Sequence, residues 1–201
     1  MPVTAMKQSP AEADARERRL LRLVAQGNRR AFEELYGDYH RRLGRFLARL
    51  SQRPEVIDEA VNDTFWIVWQ KAGDFRGSSL VSTWIMGIAY RCTLKALRRA
   101  GAGAPMDELS PEHVDSAAET EQATQELRDW VGKGLRHLPL EQRTTIELAY
   151  YLGHSCEEIA DIMGCAVGTV KARMFHARVK LRNLLPALGG LDSGGADVQP
   201  G

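Results

Sequence analysis

Ten basic side chains of this chain fall in two stretches from which acids are missing. Between Phe75 and Arg99 the charged residues are Arg76, Arg91, Lys95, Arg98 and Arg99. Between Gly164 and Pro186 they are Lys171, Arg173, Arg178, Lys180 and Arg182. From Ala100 to Leu127 there is no Lys or Arg, but seven acids: Asp107, Glu108, Glu112, Asp115, Glu119, Glu121 and Glu126. The formal net charge of the 201 residues is only +1, so the segregation carries the information and the total does not. Two cationic blocks around an anionic one fit two polyanion-binding surfaces on a tether. Their chemistry is non-covalent: ammonium and guanidinium groups displacing counterions along a phosphate backbone.

Residues arranged for bond-making are missing. The sequence has no P-loop, no His-Glu-x-x-His, no Gly-x-Ser-x-Gly and no cluster of metal ligands. His40, His113, His137 and His154 stand apart from one another, and Cys92, Cys156 and Cys165 form no Cys-x-x-Cys pair. Reduced thiols packed as small apolar groups are the plain reading of the three cysteines. The expectation is a protein that is not an enzyme and uses no cofactor and no metal. The N-terminus lacks an apolar signal-peptide core and no apolar run approaches a membrane span, so cytoplasmic placement without membrane insertion is expected.

Helices must position these groups. Phe32, Leu35, Tyr36, Tyr39, Leu43, Phe46, Leu47 and Leu50 recur at spacings of three and four, which predicts a helix over 28–50 with Asn28 as its cap. A shorter helix, Glu12 to Gln26, precedes it. Pro54 opens another, carrying Val56, Ile57, Ala60, Val61, Phe65, Val68 and Trp69 to about Gly73. After the turn Arg76-Gly77-Ser78-Ser79, a further helix runs through Trp84, Ile85, Ile88 and Leu94 to Arg99. The stretch after Gly101 is rich in Gly, Ala, Pro, Ser and acids and reads as a linker. A second helical set follows at roughly 121–137, 140–151, 156–163 and 168–185. The fold class is therefore all-α: two small helical domains joined by a flexible acidic linker. The divisions are an N-terminal extension with a short helix (1–27), a first domain (28–100), the linker (101–124), a second domain (125–186) and a disordered tail (187–201).

Within the second domain, Ser155 to Leu185 has the layout of two helices joined by a tight turn. Ser155 and Glu158 match the capping-box spacing, and Gly164 stands where a helix would stop. In the second helix Val170, Met174, Ala177 and Leu181 form an apolar stripe, leaving the basic residues and His176 largely on other faces. Such a helix can lie in a DNA major groove with its early residues nearest the base edges. An amphipathic hairpin with a merely solvated basic face satisfies the same spacing. The absence of acids from Gly164 to Pro186 argues against it, since solvated faces usually mix signs.

Leu138-Pro139, Arg143, Ser155 with Glu158-Ile159-Ala160, and Val167-Gly168-Thr169-Val170-Lys171-Ala172-Arg173 resemble region 4 of the extracytoplasmic-function group of the sigma-70 family. The first half resembles region 2 of that group. Its marks are Ala31-Phe32-Glu33-Glu34-Leu35-Tyr36; Asp58-Glu59-Ala60-Val61-Asn62-Asp63-Thr64-Phe65 with Val68-Trp69; Phe75-Arg76-Gly77; Ser82-Thr83-Trp84-Ile85; and Ile88-Ala89-Tyr90. The resemblance covers about residues 28–99 and 125–185, in the family's order. Three positions depart from the usual pattern. Asn62-Asp63 stands for a Gln-Glu pair, Ala172 for a common Ser, and His176 for a frequent Arg.

The resemblance implies a factor that binds core RNA polymerase and directs it to promoter DNA. It implies polymerase contacts by Asp58, Glu59, Asn62, Asp63 and Trp66 of the 54–72 helix. It implies capture of the unpaired −10 strand by Phe75, Arg76, Ser78, Trp84, Tyr90, Arg91, Lys95, Arg98 and Arg99, with the Phe75–Val81 loop walling a pocket for an extruded base. Readout of the −35 duplex would fall to Arg143, Thr169, Lys171, Arg173, His176 and Lys180. An anti-sigma factor is a further expected partner, and the acidic linker is expected either to enter a nucleic-acid channel of the polymerase or to serve as a flexible solubilising tether. The competing readings are a free-standing helix-turn-helix regulator, which the region 2 match disfavours, and an enzyme, for which no motif speaks.

Overall fold

The computed structural model describes residues 10–101 and 130–189. The helices are α1 (Pro10–Ala25), α2 (Arg29–Ala48), α3 (Pro54–Lys71), α4 (Val81–Arg99), α5 (130–136), α6 (Leu140–Ile146), α7 (Cys156–Met163) and α8 (Val167–Gly189). No strand occurs among the described residues. The expected linker beyond Gly101, the start of the expected 121–137 helix and the tail from 190 onward lie outside them. The chain divides into two compact units.

The first unit is built on α1 to α4. Gly27, at φ +82, turns the chain between α1 and α2, and the Asn28 side chain accepts from the Ala31 N–H at 3.0 Å, capping α2 as its sequence predicts. The three-and-four spacing buries Leu35, Tyr39, Leu43, Phe46 and Leu47 on one side of α2. Arg16 of α1 pairs with Glu34 and Asp38 on its other side. Pro54 occupies the first turn of α3, where its missing N–H has no intrahelical partner to lose. Phe32, Tyr36, Phe65 and Trp69 lock α2 to α3, with ring centroids 4.4 Å apart for Tyr36–Phe65 and 5.2 Å for Phe32–Trp69. A single 3₁₀ turn, Ala72–Asp74, then leads through the Phe75–Leu80 loop into α4.

By its contacts, the segment His154–Val167 groups with α1 to α4 in the first unit. The reason is packing. α7 lies against α4, where Gly87 has no side chain and the Ile162 backbone sits 3.5–3.6 Å from where its Cβ would be. Ile159 and Ile162 are fully buried, and Thr83 Oγ1 donates to Glu158 Oε1 at 3.3 Å. The expected capping box is present: Ser155 Oγ accepts from the Glu158 N–H, and Glu158 Oε2 from the Ser155 N–H at 2.8 Å. Gly164 ends α7 in the left-handed region, at φ +64.

His154 titrates where this packing is vulnerable. Burial pushes its imidazole below the ordinary value of 6.5, Glu158 works against that, and Arg42 adds to it. The unfolded chain therefore binds a proton near pH 6.5 that the folded unit takes up only at lower pH. Stability from this group is fully present above pH 6.5 and is lost as pH falls from there through the folded value. Glu158, held below 4.5 by the Ser155 N–H, His154 and Thr83 against its own burial, contributes in a separate, more acidic window. Thermal melts between pH 7.5 and 5.5 should show the first unit weakening, and His154→Gln should flatten that dependence; an unchanged slope would contradict the assignment.

In the second unit, Leu135, Leu138, Ile146 and Ala177 form the core, with Val131 and Leu181 packed against it. The helix expected over 140–151 is regular only to Ile146. Glu147–Tyr151 then form a π turn, closed by Leu152 N–H donating to Glu147 O at 3.2 Å. The last helix runs past the expected end at 185, through Pro186 to Gly189. A proline there removes one N–H and crowds the carbonyl four residues back. Contacts from α5 hold that turn: Trp130 Nε1 donates to Leu185 O at 3.1 Å, and Gly134 packs so closely that a Cβ would stand 2.7 Å from Leu185 Cδ2.

Candidate nucleic-acid and polymerase interfaces

On α3, one face carries the residues expected to meet the polymerase. Asp58 and Asn62 are exposed, and Trp66, an indole on an open helix surface, is 61% exposed. An aromatic of that size left in water beside polar neighbours has the character of an interface anchor. Glu59 and Asp63 are already engaged within the unit: Arg99 Nη1 lies 2.7 Å from Glu59 Oε1, and Lys95 Nζ 3.3 Å from Asp63 Oδ2. These pairs are half-exposed and worth about 0–1 kcal/mol each, so an incoming phosphate or protein charge can displace them. The sequence pattern does not reveal that the expected polymerase acids and strand-holding cations are one another's partners.

Phe75 and Trp84 stand together at the start of the first basic block, their centroids 5.5 Å apart. Both are partly buried, while Arg76 and Ser78 of the loop are exposed. Arg91, Lys95, Arg98 and Arg99 are all exposed along α4. A cavity of 410 Å³ opens on this side, lined by Ile67, Lys71, Asp74, Trp84, Ile88, Arg91, Cys92 and Lys95. Its walls combine an aromatic and aliphatic surface with three cations, the mixture that an unpaired nucleotide needs. Lys71 and Asp74 are additions here; they flank the basic block in sequence but belong to α3 and the turn after it. Burial raises the Cys92 thiol above its usual value, so Cys92 behaves as a small apolar wall. Tyr90 requires correction. At 4% exposed it is a core residue, because α4 is buried on more than one side, and it offers no open ring to a base.

On α8, Val170 and Ala177 are fully buried and Met174 and Leu181 half-buried, as the stripe requires. Thr169, Lys171, His176 and Lys180 are exposed, and Arg173 is half-buried with its guanidinium 4.0 Å from Glu141. Phe175, 58% exposed and 5.5 Å from the His176 ring, is an unexpected member of this surface. Its position off the apolar stripe is legible in the spacing. Arg143 also requires correction: it is 7% exposed, buried in the same helical run as the 2% exposed Glu147. Burial lowers its guanidinium's proton affinity, Glu147 restores part of it, and Arg136 opposes. It is a core charge of the second unit and not a DNA-facing one. Among the described residues no group of His, Cys, Asp or Glu could hold a metal ion, and no helix is long and apolar enough to cross a membrane.

Comparison with known proteins finds two family regions along the chain. Residues 35–102 match the Sigma-70 region 2 family model, and residues 128–181 match Sigma-70, region 4. The ECF RNA polymerase sigma factor SigM of Mycobacterium tuberculosis is 37% identical over 169 residues, 83% of each chain. The ECF RNA polymerase sigma-E factor of Escherichia coli is 31% identical over 180 residues, 84% of this chain and 94% of that one. Among solved structures, CnrH in complex with the cytosolic domain of CnrY superposes with a TM-score of 0.64 at 25% identity, covering 86% of this chain and 98% of that one. RpoE in complex with the anti-sigma factor NepR, from Bartonella quintana, gives 0.58 at 26% identity, covering 80% and 98%.

Proposed function

Because this chain belongs to the extracytoplasmic-function sigma factors of the sigma-70 family, which bind RNA polymerase and direct it to promoters, we propose that its two cationic surfaces divide the promoter between them. The first unit captures the unpaired −10 strand. Phe75, Arg76, Ser78 and Trp84 form the base-binding end, and Arg91, Lys95, Arg98 and Arg99 hold phosphates. The second surface, on α8, reads the −35 duplex through Thr169, Lys171, Arg173 and His176, with Lys180 on the backbone. Asp58, Glu59, Asn62, Asp63 and Trp66 dock on core polymerase. The observation that carries the division is the cavity beside Trp84. An aromatic-walled, cation-rimmed recess suits an extruded base, whereas the exposed face of α8 suits a groove.

By the likeness to structures solved with CnrY and NepR, an anti-sigma partner is proposed for this chain too, and cytoplasmic placement follows from its partner, the polymerase. The division is tested by selecting promoters with −10 and −35 positions randomised. Lys171→Ala with Arg173→Ala should relax selection at −35 alone, and Arg76→Ala with Trp84→Ala at −10 alone. Loss of preference at both elements from either pair would contradict it.

A further inference from the structure

Helix α1, before either basic block, reaches the Phe75–Leu80 loop through one (i, i+4) pair. Arg18 Nη1 and Nη2 donate to the carbonyls of Gly77 at 3.3 Å and Ser79 at 2.8 Å. Its Nε donates to Asp14 Oδ2 at 2.5 Å, and its guanidinium lies 5.4 Å from the centroid of the Phe75 ring. The other Asp14 oxygen, Oδ1, accepts from the Val81 N–H at 3.2 Å. That N–H belongs to the first turn of α4, where backbone donors lack intrahelical partners, and the N-cap residue Leu80 has no side-chain acceptor to offer. One pair on α1 thus fixes two loop carbonyls, an aromatic ring and the end of the helix that follows.

Gly77 is fitted to this brace. Its φ of +74 favours glycine, and a Cβ there would stand 2.8 Å from Arg18 Nη1. Left alone, Arg76-Gly77-Ser78-Ser79 would sample many backbone states, and holding it in one shape costs conformational entropy that the brace offsets. The planar guanidinium fork holds two carbonyls and one carboxylate at once, which a lysine cannot do.

We propose that Asp14 and Arg18 are positioning residues for −10 capture, setting the shape of the Phe75–Leu80 loop and so which unpaired base it accepts. This rests on the assignment of base capture to that loop. Base selectivity depends on placement, as it does in catalysis, where displacing a positioned group by about 1 Å can cost about a hundredfold in rate. The pair therefore acts on sequence discrimination more than on affinity.

The test uses the full chain with core polymerase and a promoter it selects. Open complexes are measured by permanganate reactivity on that promoter and on versions substituted at each −10 position. Arg18→Ala should cut the discrimination ratio by about tenfold, Arg18→Lys should restore little of it, and Asp14→Asn, which can still accept from Val81, should give an intermediate loss. Binding to core polymerase and to −35 duplex should be unchanged. If Phe75→Ala removes discrimination while Arg18→Ala and Asp14→Asn keep it, the brace is refuted and the −10 assignment stands. If all three keep it, the −10 assignment itself falls.

Discussion

Alanine at Arg91, Lys95, Arg98 and Arg99 together is expected to weaken binding of the −10 strand by roughly a hundredfold near 0.15 M salt, with the fold intact. Each phosphate neutralised on a single strand contributes about −0.7 to the slope of log affinity against log salt, so four contribute about −2.8 and roughly two decades at that concentration. All four side chains are exposed. The pairs that would be lost, Arg99–Glu59 and Lys95–Asp63, are surface pairs worth about 0–1 kcal/mol. Anisotropy of a labelled non-template −10 oligonucleotide on holoenzyme, across a salt series, measures both numbers. A slope equal to that of the unaltered protein would mean these cations do not touch the strand.

Removing the Glu147 carboxylate is expected to have the largest effect on stability. Glu147 and Arg143 are buried in one helical run of the second unit, and the glutamate charge favours the guanidinium that burial disfavours. Deleting one member of a buried pair costs about 3–5 kcal/mol, a large share of the roughly 5–15 kcal/mol that holds a whole domain. Glu147→Ala should therefore unfold the second unit early in a urea titration. Glu147→Leu combined with Arg143→Met should recover most of the loss, because a packed apolar pair avoids the desolvation that the ions incur. Equal midpoints for Glu147→Ala and the unaltered chain would show that the pair contributes nothing.

The contrast between these residues explains what a sequence discloses. Periodicity is a local signal: it identified the buried face of α2, the stripe on α8, the Asn28 cap and the Ser155–Glu158 box, because each is decided within a few residues. Arg143 and Tyr90 have the composition of interface residues, and only tertiary packing shows that both are buried. The packing of α7 on α4 is hidden for a related reason. Its apolar face suits either neighbour, and Gly87 of α4, which it meets through Ile162, lies 75 residues away in sequence. The brace from Asp14 and Arg18 was equally hidden, since its partners lie some sixty residues away. By contrast, the segregated charge of the two basic blocks was visible at once, because exposed residues meet no packing constraint that would override it.

This chain gives core RNA polymerase its choice of promoter. Purified core polymerase with and without the chain, offered a pool of DNA fragments randomised across −40 to +1, tests it in one measurement. Transcripts should arise only with the chain present, from fragments sharing two conserved elements spaced as −35 and −10. Transcription from the same fragments without it, or no enrichment of any fragment with it, would mean that the chain does not choose promoters.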